Sequence, residues 1–145
     1  MSRIRDALTL DLFEVPTPQA AATGNLDLDV PLREALSDAL RHSEINRHQV
    51  AAEMSRLTGR DISKYMLDAY TAESREAHNF PMRYAAAFEH VTNSYALTNL
   101  LAKARGCKVL VGEDALLAEF GRIEQMEFEL KKQKNALKKC LERMK

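Results

Sequence analysis

The chain of 145 residues is long enough for one small globular domain with appended segments. Basic and acidic residues number 21 each, so the overall charge gives no support for binding to nucleic acid. No apolar run approaches the roughly 18 to 20 residues of a membrane span, and no segment resembles a signal peptide. Cys107 and Cys140 have no paired cysteine or histidine spacing around them, so we expect buried or interfacial thiols in the reducing cytoplasm.

The common sequence signatures of enzymes are not found. There is no phosphate-binding glycine loop, no His-Glu-x-x-His and no nucleophile elbow, and the four histidines lack the spacing of a metal site. Tyr65 and Tyr70 lie near Lys64 on a predicted helix, but packing of both tyrosines in a small helical core explains them better than a tyrosine nucleophile. We therefore expect no catalytic activity, no cofactor and no bound metal.

Residues 1–30 are predicted to form a flexible arm, because prolines, an alanine run and an aspartate-rich stretch make poor core material. Within this arm, the segment from Ile4 to Val15 is too short to be a stable helix in water by itself. Two interpretations stay open for it. It is either a disordered tail or a docking peptide that becomes ordered on a protein partner, with Leu8, Leu12 and Phe13 as anchors.

Residues 31–112 are predicted to form one all-α domain of five helices. The first helix begins at Pro31, with Asp29 near its cap. The second begins after the capping residue Asn46, and the third after Asp61 or Ser63. Apolar residues at helical spacing form the predicted inward faces of these three helices. They are Leu32, Ala35, Leu36, Ala39 and Leu40, then Val50, Ala51 and Met54, then Ile62, Met66, Leu67 and Tyr70.

The fourth helix is predicted from Met82 to His90, directly after Pro81, and Ser94 is expected to cap the fifth, which ends at Gly106. The inward residues are Tyr84, Ala85 and Phe88 in the fourth helix and Leu97, Leu100, Leu101 and Ala104 in the fifth. The apolar run of residues 109–111 is a lone strand, an edge strand paired across a dimer, or an extended plug in the core. We favour the plug.

The second and third helices have the features of a helix-turn-helix that reads the major groove of DNA. A small residue, Ala51, stands where two helices would cross, and a turn leads to a short helix with polar outward positions. The alternative is a plain helical hairpin within a bundle. The segment from Glu44 to Asp68 holds four basic and four acidic residues, and this neutrality weakens the DNA-binding hypothesis.

Two blocks of sequence carry a resemblance to a known family. The order Gln49-Val50-Ala51, Met54, Ile62-Ser63, Leu67, Tyr70 resembles the lambda-repressor-like helix-turn-helix proteins. The block from His78 to Ser94 resembles the CII-like regulators of phages and prophages. The similarity spans residues 32–111 and rests on pattern and order. One departure is that about five more residues separate Ala51 from Ile62 than the compact motif allows, so the first helix of the pair is a turn longer or the turn is a loop.

The resemblance implies a five-helix lambda-repressor-like domain that binds double-stranded DNA. It implies that Ser63, Lys64 and Asp68, on the outward side of the third helix, read bases. It implies that arginines of the same region contact phosphates. The complete set expected at the DNA interface is Arg47, Gln49, Arg56, Arg60, Ser63, Lys64 and Asp68.

Residues 113–145 are predicted to form a long oligomerising helix. One heptad column is apolar throughout, while the flanking column is apolar only at its ends and carries Glu127 and Lys134 in the middle. Gly121 costs about 1 kcal/mol inside a helix, which does not overturn a pattern of this length. The residues expected at the oligomer interface are Leu116, Phe120, Ile123, Leu130, Leu137, Leu141 and Met144.

The charges of this helix are arranged in two blocks. Residues 113–130 carry six acids against one base, and residues 131–145 carry seven bases against one acid. A parallel pair would place like charges side by side, so we predict an antiparallel association in a homo-dimer or a four-helix tetramer. The alternatives are a helix that packs its single stripe on its own domain and a basic end that contacts DNA phosphates.

Two functions follow as hypotheses. The first is a sequence-specific transcriptional regulator of phage or prophage origin that pairs its DNA-binding domains through the C-terminal helix. The second is a scaffolding or accessory subunit of DNA packaging or transposition, which recruits a larger enzyme through the N-terminal arm. The neutral reading segment favours the second hypothesis, and the CII-like block favours the first.

Overall fold

A computed structural model of the chain describes residues 15–72, 74 and 77–144. Their backbone forms six α-helices and one 3₁₀ turn with no strand, which confirms the all-α class. The elements are α1 (Asp29–His42), α2 (Arg47–Thr58), α3 (Lys64–Thr71), the 3₁₀ turn (Met82–Tyr84), α4 (Ala85–Thr92), α5 (Ala96–Ala104) and α6 (Glu113–Arg143). The proposed docking peptide at residues 4–15, with Leu8, Leu12 and Phe13, lies outside the described residues except for Val15.

Contacts between residues divide the chain into two units, with the division after Val109. In the first unit, α1 packs against α3 and α5, and α2 packs against α3 and α4. The second unit is α6 with the residues next to it. The five helices of the first unit therefore enclose one core.

The core of the first unit is built from the apolar faces that the sequence predicts. Val50, Met54, Leu67 and Phe88 are fully buried, and the ring of Phe80 meets the rings of Tyr70, Tyr84 and Phe88 edge to face at centroid distances of 5.4, 6.5 and 5.5 Å. The predicted inward residues that are buried are Leu36, Ala39, Leu40, Val50, Ala51, Met54, Ile62, Leu67, Tyr70, Tyr84, Ala85, Phe88, Leu97 and Ala104. Those that are only half-buried are Leu32, Ala35, Met66 and Leu100, and Leu101 is exposed.

Two helix starts are capped as the sequence predicts. The side chain of Asn46 accepts a hydrogen bond from the backbone N–H of Gln49, and the Gln49 side chain accepts one from the N–H of Asn46, which is a complete capping box. Ser63, and not Asp61, caps α3, because its Oγ accepts a hydrogen bond from the N–H of Met66 at 3.2 Å.

Two other predicted helix starts are wrong. The first helix begins at Asp29, two residues before Pro31, and its first N–H donates to the carboxylate of Asp27 at 3.0 Å. Ser94 does not cap α5. The buried carboxylate of Glu89 in α4 does so, because it accepts hydrogen bonds from the N–H of Thr98 at 2.8 Å and from its hydroxyl at 2.7 Å. A negative group at a helix N-terminus satisfies a free N–H and matches the helix dipole.

The C-terminal end of α5 closes at Gly106, as predicted. Gly106 has a φ of +68°, and the N–H of Cys107 donates to the carbonyl of Ala102 at 2.7 Å, which is the Schellman arrangement. This turn directs the chain outward, so Leu110 and Val111 are exposed and the prediction of a core plug at residues 109–111 is wrong.

Part of the predicted N-terminal arm lies against this same turn. The N–H of Gln19 donates to the carbonyl of Ala104 at 2.9 Å, and Pro18 forms an isolated bridge with Arg105. A Cβ atom on Gly106 would clash with the backbone of Thr17 and Pro18. Glycine is therefore required at position 106 both for its φ angle and for this close approach.

A buried arginine joins α1 to the end of α3. Arg33 is 5% exposed and pairs with Asp29 at 3.1 Å one turn earlier in the same helix. Its Nη1 also donates to the carbonyl of Ala72 at 3.0 Å and lies 3.5 Å from the carbonyl of Tyr70. These carbonyls lie at the C-terminal end of α3, where no later N–H of the helix is available to them.

We predict that Arg33→Ala lowers the free energy of unfolding of the first unit by about 2–4 kcal/mol, because it leaves a carboxylate and buried carbonyls without this donor. All four tyrosines lie in the first unit, so tyrosine fluorescence during urea unfolding measures this unit separately from α6. The control is Arg41→Ala, which removes an exposed pair with Asp38 and should cost less than about 0.5 kcal/mol. Equal effects of the two substitutions would contradict the role of Arg33.

Candidate functional site

The connection between α2 and α3 is longer than in a compact helix-turn-helix. α2 has 12 residues and ends at Thr58, Gly59 with a φ of +64° caps its C-terminal end, and four further residues precede α3. The hydroxyl of Ser55 accepts a hydrogen bond from the N–H of Ile62 at 2.9 Å and lies 3.0 Å from its carbonyl. The connection between α2 and α3 is therefore a loop, which is one of the two alternatives that the sequence left open.

The other end of α3 is also tied to α2. Arg47, the first residue of α2, reaches the carboxylate of Asp68 at 2.7 Å and the hydroxyl of Thr71 at 3.2 Å, both in the second half of α3. Because Ser55 binds residue 62 and Arg47 binds residues 68 and 71, α3 is attached to α2 near both of its ends. This double attachment fixes which side of α3 faces solvent.

Three of the predicted interface residues lie together on that solvent side. Asp68 accepts a hydrogen bond from Lys64 at 2.6 Å in addition to the one from Arg47. The hydrogen bond from Lys64 is the largest influence on the Asp68 carboxyl and, together with that from Arg47, lowers its pKa below 3.8, although partial burial acts in the opposite direction. The side chains of Arg47, Lys64 and Asp68 are between 33% and 41% exposed, so solvent still reaches the cluster.

The remaining predicted interface residues have other surroundings. Ser63 is exposed and caps α3, and Gln49 is exposed and completes the cap of α2, so each has a structural role. Arg56 is paired with Glu53 at 2.8 Å within α2. Arg60 is exposed and has no hydrogen bond or ion pair with any other residue that the structure describes.

Tyr65 is a surface residue that the sequence interpretation assigned to the core. Its side chain is 62% exposed on the first turn of α3, beside Lys64, whereas Tyr70 is buried as expected and the pKa of its phenol is raised by that burial. A helix that buries Leu67 and Tyr70 turns position 65 outward. The exposure of Tyr65 could therefore have been predicted from this spacing. The outward edge of α3 therefore presents an aromatic ring as well as polar groups.

We predict that the contribution of Asp68 to stability depends on pH in the acid range. A carboxyl whose pKa is lowered on folding stabilises the fold above its unfolded pKa, and this stabilisation is lost as the pH falls through the folded pKa. Asp68→Asn should therefore lower the free energy of unfolding by about 0.5–1 kcal/mol at pH 6, since the pair is partly exposed. The difference from the unsubstituted protein should shrink below about pH 4.

The measurement is urea unfolding between pH 6 and pH 2.5. Lys64→Met and the double variant complete a double-mutant cycle, which should show a coupling energy at pH 6 that disappears at pH 2.5. A difference between Asp68→Asn and the unsubstituted protein that stays constant over this range would contradict the prediction.

The second unit presents an apolar face that is exposed along α6. Of the 31 residues of α6, none is buried. The predicted oligomerisation residues are all exposed, namely Leu116, Phe120, Ile123, Leu130, Leu137, Leu141 and Met144, and Leu117, Met126 and Phe128 are exposed beside them. Cys107 and Cys140 are exposed as well, so of the two expectations, buried or interfacial thiols, only the interfacial one stays open. Exposed apolar stripes of this length are typical of interaction surfaces.

Comparisons with known proteins identify no relative. The chain matches no family model, no curated protein and no solved structure. Among the residues that the structure describes, no helix is both long and apolar enough to cross a membrane. The same residues contain no cluster of three or more histidine, cysteine, aspartate or glutamate side chains placed to hold a metal ion.

Proposed function

We propose that this protein is a sequence-specific DNA-binding regulator of transcription, of phage or prophage origin, which acts in the cytoplasm as a homo-oligomer. We propose that it is a binding protein and not an enzyme, and that it uses no cofactor. The observation that carries the proposal is the exposed edge of α3, where Ser63, Lys64 and Tyr65 stand on the first turn and face solvent. The first turn of a recognition helix is the part that meets base edges in the major groove.

The chemistry of this edge suits contact with DNA. The Ser63 hydroxyl uses an oxygen lone pair for the cap and keeps its hydrogen for donation to a base or phosphate. Lys64 is held by Asp68 in an exposed ion pair, and such pairs contribute little, so a DNA phosphate or a guanine edge competes for the ammonium group. Asp68 thus restrains both Lys64 and Arg47 until DNA replaces it.

Oligomerisation compensates for the weak charge of a single domain. A segment with as many acids as bases binds DNA weakly by itself. Two domains joined through α6 bind as one unit with a high effective concentration. The exposed stripe of α6 and its opposite charge blocks support an antiparallel pair of these helices, as a dimer or within a four-helix tetramer.

A second candidate function is an accessory or scaffolding subunit that recruits a larger enzyme in DNA packaging or transposition. The pairing of Lys64 and Arg47 with Asp68 favours it, because both cations already have a carboxylate partner in the free protein. The N-terminal segment proposed as the recruiting peptide lies outside the described residues.

We predict that the chain of 16.4 kDa has at least twice this mass in solution, measured by sedimentation equilibrium. Leu130→Asp and Leu137→Asp should each shift it towards the monomer, since they place a charge in the apolar seam, and raised ionic strength should loosen the antiparallel pair. Gln125→Asp, on the opposite face of the helix, is the control. A monomeric unsubstituted chain would contradict the oligomer.

The orientation of the helices is tested by oxidation in a Cys107→Ser background. When Glu127 faces Lys134 in an antiparallel pair, the two Cys140 residues are separated by about 28 Å along the helix axis, so they cannot form a disulfide. A parallel pair places them at the same level. Rapid cross-linking of the oligomer through Cys140 would therefore rule out the antiparallel arrangement.

DNA binding is tested with a gel shift on the DNA that flanks the protein's own gene, beside a duplex of the same length and random sequence. We expect tight, salt-sensitive and sequence-selective binding by the oligomer. Lys64→Gln should weaken binding about tenfold, because a specific contact contributes about 1–3 kcal/mol. Asp68→Asn should strengthen binding to both duplexes, because it releases two cations. Absence of any binding by the oligomer would refute the regulator and favour the accessory subunit.

A further inference from the structure

A groove in the first unit brings together basic side chains from parts of the chain that are distant in sequence. It lies between the C-terminal end of α2 and the beginning of α4. Its lining includes Leu57, Arg60, Arg83, Ala86, Ala87 and His90. Arg60 belongs to the predicted DNA-contacting set, whereas Arg83 and His90 come from the fourth-helix region and lie outside that set. We call this feature the α2–α4 groove.

The α2–α4 groove is positively charged although the chain as a whole is neutral. Of the described residues that line it, two are arginines and none is an aspartate or a glutamate. Neither arginine takes part in a salt bridge with another described residue, whereas Arg33, Arg41, Arg47, Arg56 and Arg122 all do. The carboxylate nearest in sequence to His90 is that of Glu89, which is buried and directed at Thr98. The positive charge is therefore left available to a ligand.

Both arginines are attached to rigid backbone. Arg60 follows Gly59, whose N–H donates to the carbonyl of Ser55 at 2.9 Å and closes α2. Arg83 lies in the 3₁₀ turn, and its guanidinium stands 5.6 Å from the centroid of the Tyr84 ring, a cation–π contact that restricts the side chain. The backbone at both arginines therefore loses little conformational entropy on binding. The two positive charges are partly positioned before the ligand arrives.

The shape of the groove suits a chain-like anion and not an enclosed metabolite. Leu57, Arg60, Arg83, Ala86 and His90 are all exposed, so the walls are low. Ala86 and Ala87 have only methyl side chains, which lets a ligand backbone approach α4 closely. An open groove with cationic walls, small residues and an imidazole N–H donor matches the phosphate and sugar surface of a nucleic acid strand.

We infer that the α2–α4 groove binds the phosphate backbone of duplex DNA, with Arg60 and Arg83 on phosphate oxygens and His90 as a further donor. This inference rests on the proposed DNA binding and extends it. Arg60 is the first of the four residues that join Gly59 to α3, so the groove lies close along the chain to the exposed edge that carries Ser63 and Lys64. Contacts of this kind set the position of a protein on DNA without reading its sequence.

The test uses the full-length oligomer and a fluorescein-labelled 30-base-pair duplex of random sequence. Fluorescence anisotropy gives the association constant between 20 and 300 mM KCl. Each lost phosphate contact lowers the slope of log K against log salt by about 0.9, so binding at 0.1 M salt should fall about eightfold per contact. We expect this loss for Arg60→Gln and for Arg83→Gln, and twice the change in slope for the double variant.

Matched controls separate a loss of contact from a loss of fold. Arg41→Gln removes the same charge from a different groove, one that also contains Asp29, Glu34 and Asp38, and it should leave the slope unchanged. Arg83→Lys keeps the charge and should retain most of the slope. A thermal unfolding midpoint within about 2 °C of that of the unsubstituted protein shows that each variant is folded.

Two results would overturn the inference in distinguishable ways. If the oligomer binds the duplex and Arg60→Gln and Arg83→Gln behave like Arg41→Gln, the groove is not a DNA contact, while the proposed function stands. If the oligomer does not bind the duplex even at 20 mM KCl, both proposals fail. A third result would also contradict the assignment to duplex DNA. In it, the two arginines are needed for binding to single-stranded RNA of the same length but not for binding to the duplex.

Discussion

The attachment of α3 to its neighbours is the constraint on which the first unit depends. A helix of eight residues is not stable in water by itself, so α3 exists because other elements hold it. Ser55 binds the chain just before α3, Arg47 binds its second half, and Arg33 donates to the carbonyls at its C-terminal end. Since Leu67 and Tyr70 are buried at the same time, the rotation of α3 about its axis is fixed, and with it the edge that faces solvent.

Charged side chains have two different uses in this protein. The buried Arg33 and Glu89 serve the backbone, because each supplies hydrogen bonds to the end of a helix on a neighbouring element. Arg60, Arg83 and Lys64 remain at the surface, where a partner can reach them. The chain has equal numbers of acidic and basic residues, but they are distributed unevenly over its surface. A part of the surface is therefore positive although the net charge is zero.

The two units are stabilised in different ways. The first unit buries its apolar residues within the chain, around Phe88 and Met54. In contrast, α6 buries none of its residues, and its apolar stripe gains stability only when another surface covers it. This difference explains why the proposed function joins a folded binding domain to an association helix, and why the oligomer is expected to be sensitive to salt while the fold of the first unit is not.

The sequence by itself determined the features that depend on neighbours along the chain. Helical spacing located the helices and most of the core, and short-range chemistry identified the cap at Asn46 and the end of α5 at Gly106 and limited the cap of α3 to Asp61 or Ser63. The heptad column of α6 and its charge blocks are likewise local patterns. These features are readable because each depends on side chains three or four residues apart.

Only the tertiary structure decided which distant residues meet. The cap of α5 by Glu89, the donation from Arg33 to the end of α3 and the common groove of Arg60 and Arg83 join residues on different elements. Arg33 stands three residues before the buried Leu36, so the sequence indicates that this arginine lies on the apolar face of α1. The sequence does not indicate which groups accept its hydrogen bonds. The periodicity of apolar residues predicts which face of a helix is buried. The hydrogen-bond partner of a polar group depends instead on how the helices pack.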